Sequence, residues 1–239
     1  MADRSLSLIL VLICSALACS SEKPAEPRKP EPAVIIKQKH PVLSAEQRKV
    51  LSFPADIISQ VELAAGSEAE PFFVTVVMPS ENMKGEKGFE AGKLLGFSVR
   101  TKHTEELFTG HRAQLRSRGY LLFKSHKGYG SLPDIVTVIK GNNTYDILKV
   151  QGTEAPNFRL DTKAIIAWLK ERQKDASFVV TGAGPDWIEA HFTKPPKDMT
   201  AFAKQTIAFA PDVLEHGPHN AEKLVERMKR TEGFFLTWD

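Results

Sequence analysis

An α+β fold, with a mixed sheet built from helix-hairpin units and helices packed on it, is the class this sequence predicts. Apolar residues at helical spacing alternate with short β-branched and aromatic runs. The order helix, strand, turn, strand occurs twice, from Thr104 to Ile139 and from Asp161 to Thr193. The clearest periodicity runs from Asp161 to Asp239 and closes on Phe234-Phe-Leu-Thr-Trp-Asp239. The two helix-hairpin units share an order but few residues, so a common α+β arrangement accounts for them better than a duplication.

Ser44 and Gln47 form a capping box that opens one short helix, and Pro54 opens a second carrying Ile57, Ile58 and Val61 at helical spacing. Pro71 to Pro79 is β-branched and aromatic between prolines and reads as a buried strand. The glycine-rich stretch from Ser80 to Gly96 is expected to be a long loop, followed by a short strand from Phe97 to Arg100. Thr104 to Arg118 reads as a helix with Leu107, His111 and Leu115 on one face. The strands Tyr120 to Lys124 and Ile135 to Ile139 follow, joined by Gly128 to Asp134. Asp161 caps a helix bearing Ile165, Trp168 and Leu169, and a turn at Gly182 to Asp186 separates strands Phe178 to Thr181 and Trp187 to Thr193. Pro195-Pro196 stops that strand. Asp198 caps a helix with Met199, Phe202 and Ala203 inward, and Asn220 caps another with Leu224, Val225 and Met228. Gly233 is expected to end that helix, and the terminal strand then alternates Phe234, Leu236 and Trp238 against Phe235, Thr237 and Asp239.

Four segments are expected: a signal at 1–19, a tether at 20–42, an N-terminal lobe at 43–140 and a C-terminal lobe at 141–239. Arg4, the apolar run from Leu6 to Leu17 and Ala18 before Cys19 have the layout of an export signal, too short to span a bilayer. Ser15-Ala-Leu-Ala-Cys19 resembles a bacterial lipobox, which implies a lipid on Cys19 as the first mature residue; plain cleavage at or near Ala18 is the other reading. Ser20 after the anchor resembles sorting to the outer membrane, facing the periplasm in a Gram-negative cell. The following Pro- and charge-rich residues read as an extended tether reaching about 3 Å per residue. Cys14 and Cys19 are the only cysteines, so the mature domain has no disulfide, thiolate metal site or cysteine nucleophile. A core must hold it, and at 42% hydrophobic content the chain has the material for one.

The net charge of +3 is mild, and nucleic acid is not an expected partner. Three groups of residues offer chemistry. On a strand, Trp187, Glu189 and His191 share one face next to Asp186, and the carboxylates and imidazole would serve as acid-base groups or metal ligands. The same pattern also suits a solvated sheet face with Trp187 covering its edge. Asp212, His216 and His219 would suit zinc, but Gly217-Pro218 breaks the helical spacing; Asp212 equally suits a turn after Pro211. Arg112, Arg116, Arg118, Lys124 and Lys127, with Tyr120 and Tyr129, form a basic and aromatic set that would meet an anionic surface or simply face water. A phosphate-binding Gly-Lys-Ser/Thr loop, a Gly-x-Ser-x-Gly elbow and a His-Glu-x-x-His motif are absent, and Gly182-Ala-Gly precedes a strand where a dinucleotide loop needs a helix.

Phe209-Ala-Pro-Asp212, Gly217, Leu236-Thr-Trp-Asp239, Tyr145-Asp-Ile-Leu148, the helix Asp161 to Leu169 and Gly182-Ala-Gly-Pro-Asp-Trp-Ile-Glu189 together resemble a bacterial family, the domain of unknown function 4253. The resemblance covers roughly the C-terminal hundred residues. It implies a fold and no established activity. This chain has Ala210 where the family pattern has Cys, and Thr237 where it has Trp, so thiol chemistry is not required of it. The residues with a binding role in this reading are Trp187, Asp212, His216, Trp238 and Asp239. The expected function is a lipid-anchored envelope binding module without cofactor, its partner an envelope protein or cell-wall polymer. An envelope hydrolase using Asp186, Glu189 and His191, with or without a metal, is the alternative.

Overall fold

The computed structural model describes residues 40–79, 87–215 and 217–238, and Lys39–Asp239 cluster as one compact unit. The signal, Cys19, the tether as far as residue 39, His216 and Asp239 lie outside the described residues. Among the described residues seven strands form one mixed sheet: β1 (Glu70–Pro79), β2 (Lys87–Thr101), β3 (Tyr120–His126), β4 (Asp134–Lys140), β5 (Ser177–Ala183), β6 (Trp187–Lys194) and β7 (Gly233–Thr237). Their spatial order is β1-β2-β4-β3-β5-β6-β7. Neighbours are antiparallel except β3 and β5, which run parallel with Lys124 opposite Gly182. The helices are α1 (Ala45–Leu51), α2 (Ala55–Ala65), α3 (Thr104–Ser117), α4 (Asp146–Gln151), α5 (Thr162–Arg172), α6 (Met199–Phe209) and α7 (Ala221–Thr231). The expected boundary at 140/141 falls between β4 and α4, and the sheet runs across it.

The caps read from the sequence form as hydrogen bonds. Gln47 N donates to Ser44 Oγ at 3.2 Å while Ser44 N donates to Gln47 Oε1 at 2.8 Å. Asp161, Asp198 and Asn220 each accept from the backbone N–H three residues on, at 2.7, 2.8 and 2.9 Å. Three local expectations change. Residues 87–96 are strand, continuous with Phe97, because Gly92 and Gly96 let β2 lie where a Cβ would strike the Val74 and Val138 carbonyls. Gly182 and Ala183 belong to β5 after a register shift, leaving the turn to Gly184–Asp186. The left-handed cap of α7 is Glu232, φ 47°; Gly233 already pairs in β7, where a Cβ would meet the Ala190 carbonyl.

Alternation along β3 feeds two cores. Tyr120 and Leu122 join Phe97, Val99, Val136 and Val138 beneath α1, α2 and α3, with Ile57, Ile58, Val61, Leu107 and Leu115. Leu121 and Phe123 point the other way, into a core with Phe178, Ile188, Phe234 and Leu236 that Leu148, Ile165, Leu169 and Phe202 cover. Each such side chain stabilises the fold by about 1.5–3 kcal/mol when fully buried.

Candidate ligand-binding cleft

One row of residues crosses the sheet on the α3 side. The registers set Val99, Val136, Lys124, Gly182, Glu189 and Phe235 side by side on successive strands. Opposed residues point to the same face, so the row passes from apolar to charged where the two parts of the sheet meet. Gly182 has no side chain to stand between its neighbours; a Cβ there would come within 3.0 Å of Lys124 and 3.1 Å of Trp187. Lys124 Nζ therefore reaches across and donates to both Glu189 oxygens, at 3.2 and 3.3 Å. Lys127 Nζ stands 3.3 Å from Glu189 Oε2, 3.6 Å from the Phe235 ring centroid and 4.8 Å from that of Trp187. Asp134 steadies the hairpin above: it accepts from Thr104 Oγ1 and from Gly128 N, both at 2.8 Å, and lies 3.7 Å from Lys124 Nζ.

A cleft of about 540 Å³ opens over this row, between Glu105, Phe108 and Arg112 of α3 and Leu224, Arg227 and Thr231 of α7. Four cations line it, Arg112, Lys124, Lys127 and Arg227, against two carboxylates, Glu105 and Glu189. A smaller hollow of about 370 Å³ is lined by Lys124, Lys127 and Arg227 and by Asp134, Asp186 and Glu189, so there the charges balance. The cationic surplus lies on the α3 side. Burial lowers the Lys127 ammonium to about 8, with Lys124 and Arg227 adding to the fall and Glu189 opposing it. Burial likewise lowers Arg112 to about 10, against the opposing fields of Glu105 and Glu189. For Glu189, burial by itself raises the carboxyl, but Lys124 and then Lys127 outweigh it and hold the group below its ordinary value. Near neutrality it has no proton to donate.

Glu189 is thus at the centre of the cleft, and His191 is at its rim, exposed, with Nε2 4.0 Å from Glu232 Oε2. Asp186 is exposed in the turn, beside the smaller hollow, and its carbonyl accepts from Trp238 N at 3.0 Å. Trp187 is buried against Gly184 and tilted over Phe235. Trp238 is buried in the opposite core, edge-on to Phe209, and Nε1 donates to the Phe209 carbonyl at 3.2 Å. Asp212 is in the single-turn helix Pro211–Leu214, its carbonyl accepting from Glu215 N at 3.0 Å, and His219 is exposed nearby. Among the described residues no group of three or more His, Cys, Asp or Glu is placed to hold a metal ion, and no helix is long and apolar enough to cross a membrane.

The basic set divides. Arg112, Lys124 and Lys127 converge on the cleft, whereas Arg118 turns to Asp56, at 2.6 and 3.2 Å, and Arg116 is exposed. Tyr120 packs on Phe53, and Tyr129 is exposed beside the smaller hollow. Sequence reasoning missed Arg227, Phe108 and Phe235 as cleft residues, and Gly182 as the gap in the row beneath them. A glycine inside a strand run was the available signal for Gly182; the other three come to the cleft by tertiary packing alone.

Fold and site define an α+β protein with a partly buried cationic cleft on one face of its sheet. Residues 135–239 match the family model described as Domain of unknown function (DUF4253), which extends the motif resemblance over β4 to β7. No curated protein and no solved structure matches the chain. Ala210, where the family pattern has Cys, is fully buried at the end of α6, so a thiol there would be a core atom.

Proposed function

We propose that this is a lipid-anchored envelope binding module whose ligand is an anion seated in the cleft between α3 and α7. The supporting observation is the surplus of four lining cations over two carboxylates in a partly buried site, where charges are weakly screened. Glu189 keeps Lys124 and Lys127 in place without contributing a proton, which suits binding better than acid catalysis. The anchor is read from Ser15 to Cys19, and the tether would let the cleft sweep the space near a membrane for its partner.

The test compares the intact protein with Cys19→Ala and Lys127→Met. The intact protein is expected in the detergent phase of a phase-separating extract, and Cys19→Ala in the aqueous phase. Calorimetric titration at low salt with inorganic phosphate and with citrate should show saturable binding of at least one, weakened about tenfold by Lys127→Met. Unchanged partitioning of Cys19→Ala would remove the anchor. Absence of saturable binding by either anion would remove the cleft reading, and release of a hydrolysis product from envelope material would favour the hydrolase.

A further inference from the structure

Arg112 differs from Lys124 and Lys127 in having no carboxylate at ion-pair distance among the described residues. Glu189 is taken by those two lysines. Its guanidinium carbon lies 3.8 Å from the centroid of the Phe108 ring, one helical turn back on α3, so an aromatic face sets its position. Nε and Nη2 are buried and have no hydrogen-bond acceptor among the described residues. Buried donors are nearly always satisfied, and an orphaned pair on one side chain points to a group that completes it. Nε and Nη2 bear the two parallel N–H bonds along one edge of the guanidinium. That edge is the fork that takes two oxygens in one plane.

We infer that Arg112 is the anchoring fork for a carboxylate, and that the ligand of this cleft is an organic carboxylate with an apolar body. The inference rests on the anion-binding reading above and names its ligand class. A carboxylate offers two coplanar oxygens and matches a single fork. A phosphoryl group has a third oxygen and a second charge, and Glu105, in the first turn of α3 on the cleft wall, repels the added charge. The apolar body follows from Phe108 and Phe235, which line the same cleft. Because both nitrogens are shut off from solvent, neighbouring side chains part as the ligand arrives, and its oxygens satisfy donors that are otherwise unmet.

Three probes with one ring and different heads separate the cases: benzoate, its neutral counterpart benzamide, and phenylphosphonate. Titrated into the intact protein and followed by calorimetry, benzoate should bind at least tenfold more tightly than either of the others. Arg112→Lys keeps the charge and loses the fork, so it should weaken benzoate about tenfold or more while the melting temperature stays within a few degrees of the parent. Should that variant fold poorly, the Arg112 Nε–H resonance of the parent decides, since it must move when benzoate is added. Phenylphosphonate binding as tightly as benzoate, an unaffected Arg112→Lys or an unmoved resonance would overturn the carboxylate assignment and leave the anion-binding reading intact. Equal binding of benzamide and benzoate, or no binding of either charged probe, would overturn both.

Discussion

At Lys127 burial and pairing pull against each other, and burial prevails. The ammonium titrates near 10.5 in an unfolded chain and about 8 here. Within that window the unfolded chain binds the proton more tightly, so stability from this group rises as the pH climbs from about 8 to 10.5. The full shift corresponds to about 3–4 kcal/mol. Urea unfolding at pH 7.5 and pH 10 should show this alkaline gain in the parent and lose it in Lys127→Met; equal pH slopes in the two proteins would refute it. Anion binding has the opposite dependence and weakens above pH 8, as one of the four lining cations is neutralised. The chain identified Lys124, Lys127 and Glu189 as chemically capable, but not that they meet. Glu189 is 65 residues from Lys124, and the row through Gly182 brings the two together.

Elements whose signal is local were legible. Ser44, Asp161, Asp198 and Asn220 cap the helices the sequence predicts, because a cap depends on one side chain and a backbone N–H three residues away. β2 was not. Its glycines read as a loop locally, but their value is clearance for β1 and β4, which only the paired sheet reveals. The terminal strand was legible through alternation: Phe234, Leu236 and Trp238 enter one core while Phe235 faces Lys127 on the other side. Trp238 packs on Phe209 and donates to its carbonyl, locking β7 to the end of α6. Trp238→Ala should cost about 3–5 kcal/mol, read as a fall in the midpoint of chemical unfolding. An unchanged midpoint would show that the strand end carries little of the stability.

Across the whole molecule, β3 joins the two cores, since successive residues enter opposite ones. The family match begins at residue 135 and so includes β4 but not β3, although β3 lies between β4 and β5 in the sheet. A fragment of residues 141–239 would lack Leu121, Phe123 and Ile139 from its core and would expose the edge of β5. It is therefore expected to melt well below the parent or without a cooperative transition, by circular dichroism. Cooperative melting at the parent temperature would establish a self-sufficient C-terminal lobe.

By itself the sequence determined the α+β class, the helix caps, the strand alternation, the resemblance of the C-terminal region and the export-like opening, because each depends on neighbours within a few residues. Tertiary structure decided that β3 and β5 run side by side, that Gly182 clears a path between Lys124 and Glu189, and that Arg112 and Arg227 face one cleft. Those relations join side chains from separate strands and helices, and burial then sets their charge; neither distance nor burial is encoded in any local pattern.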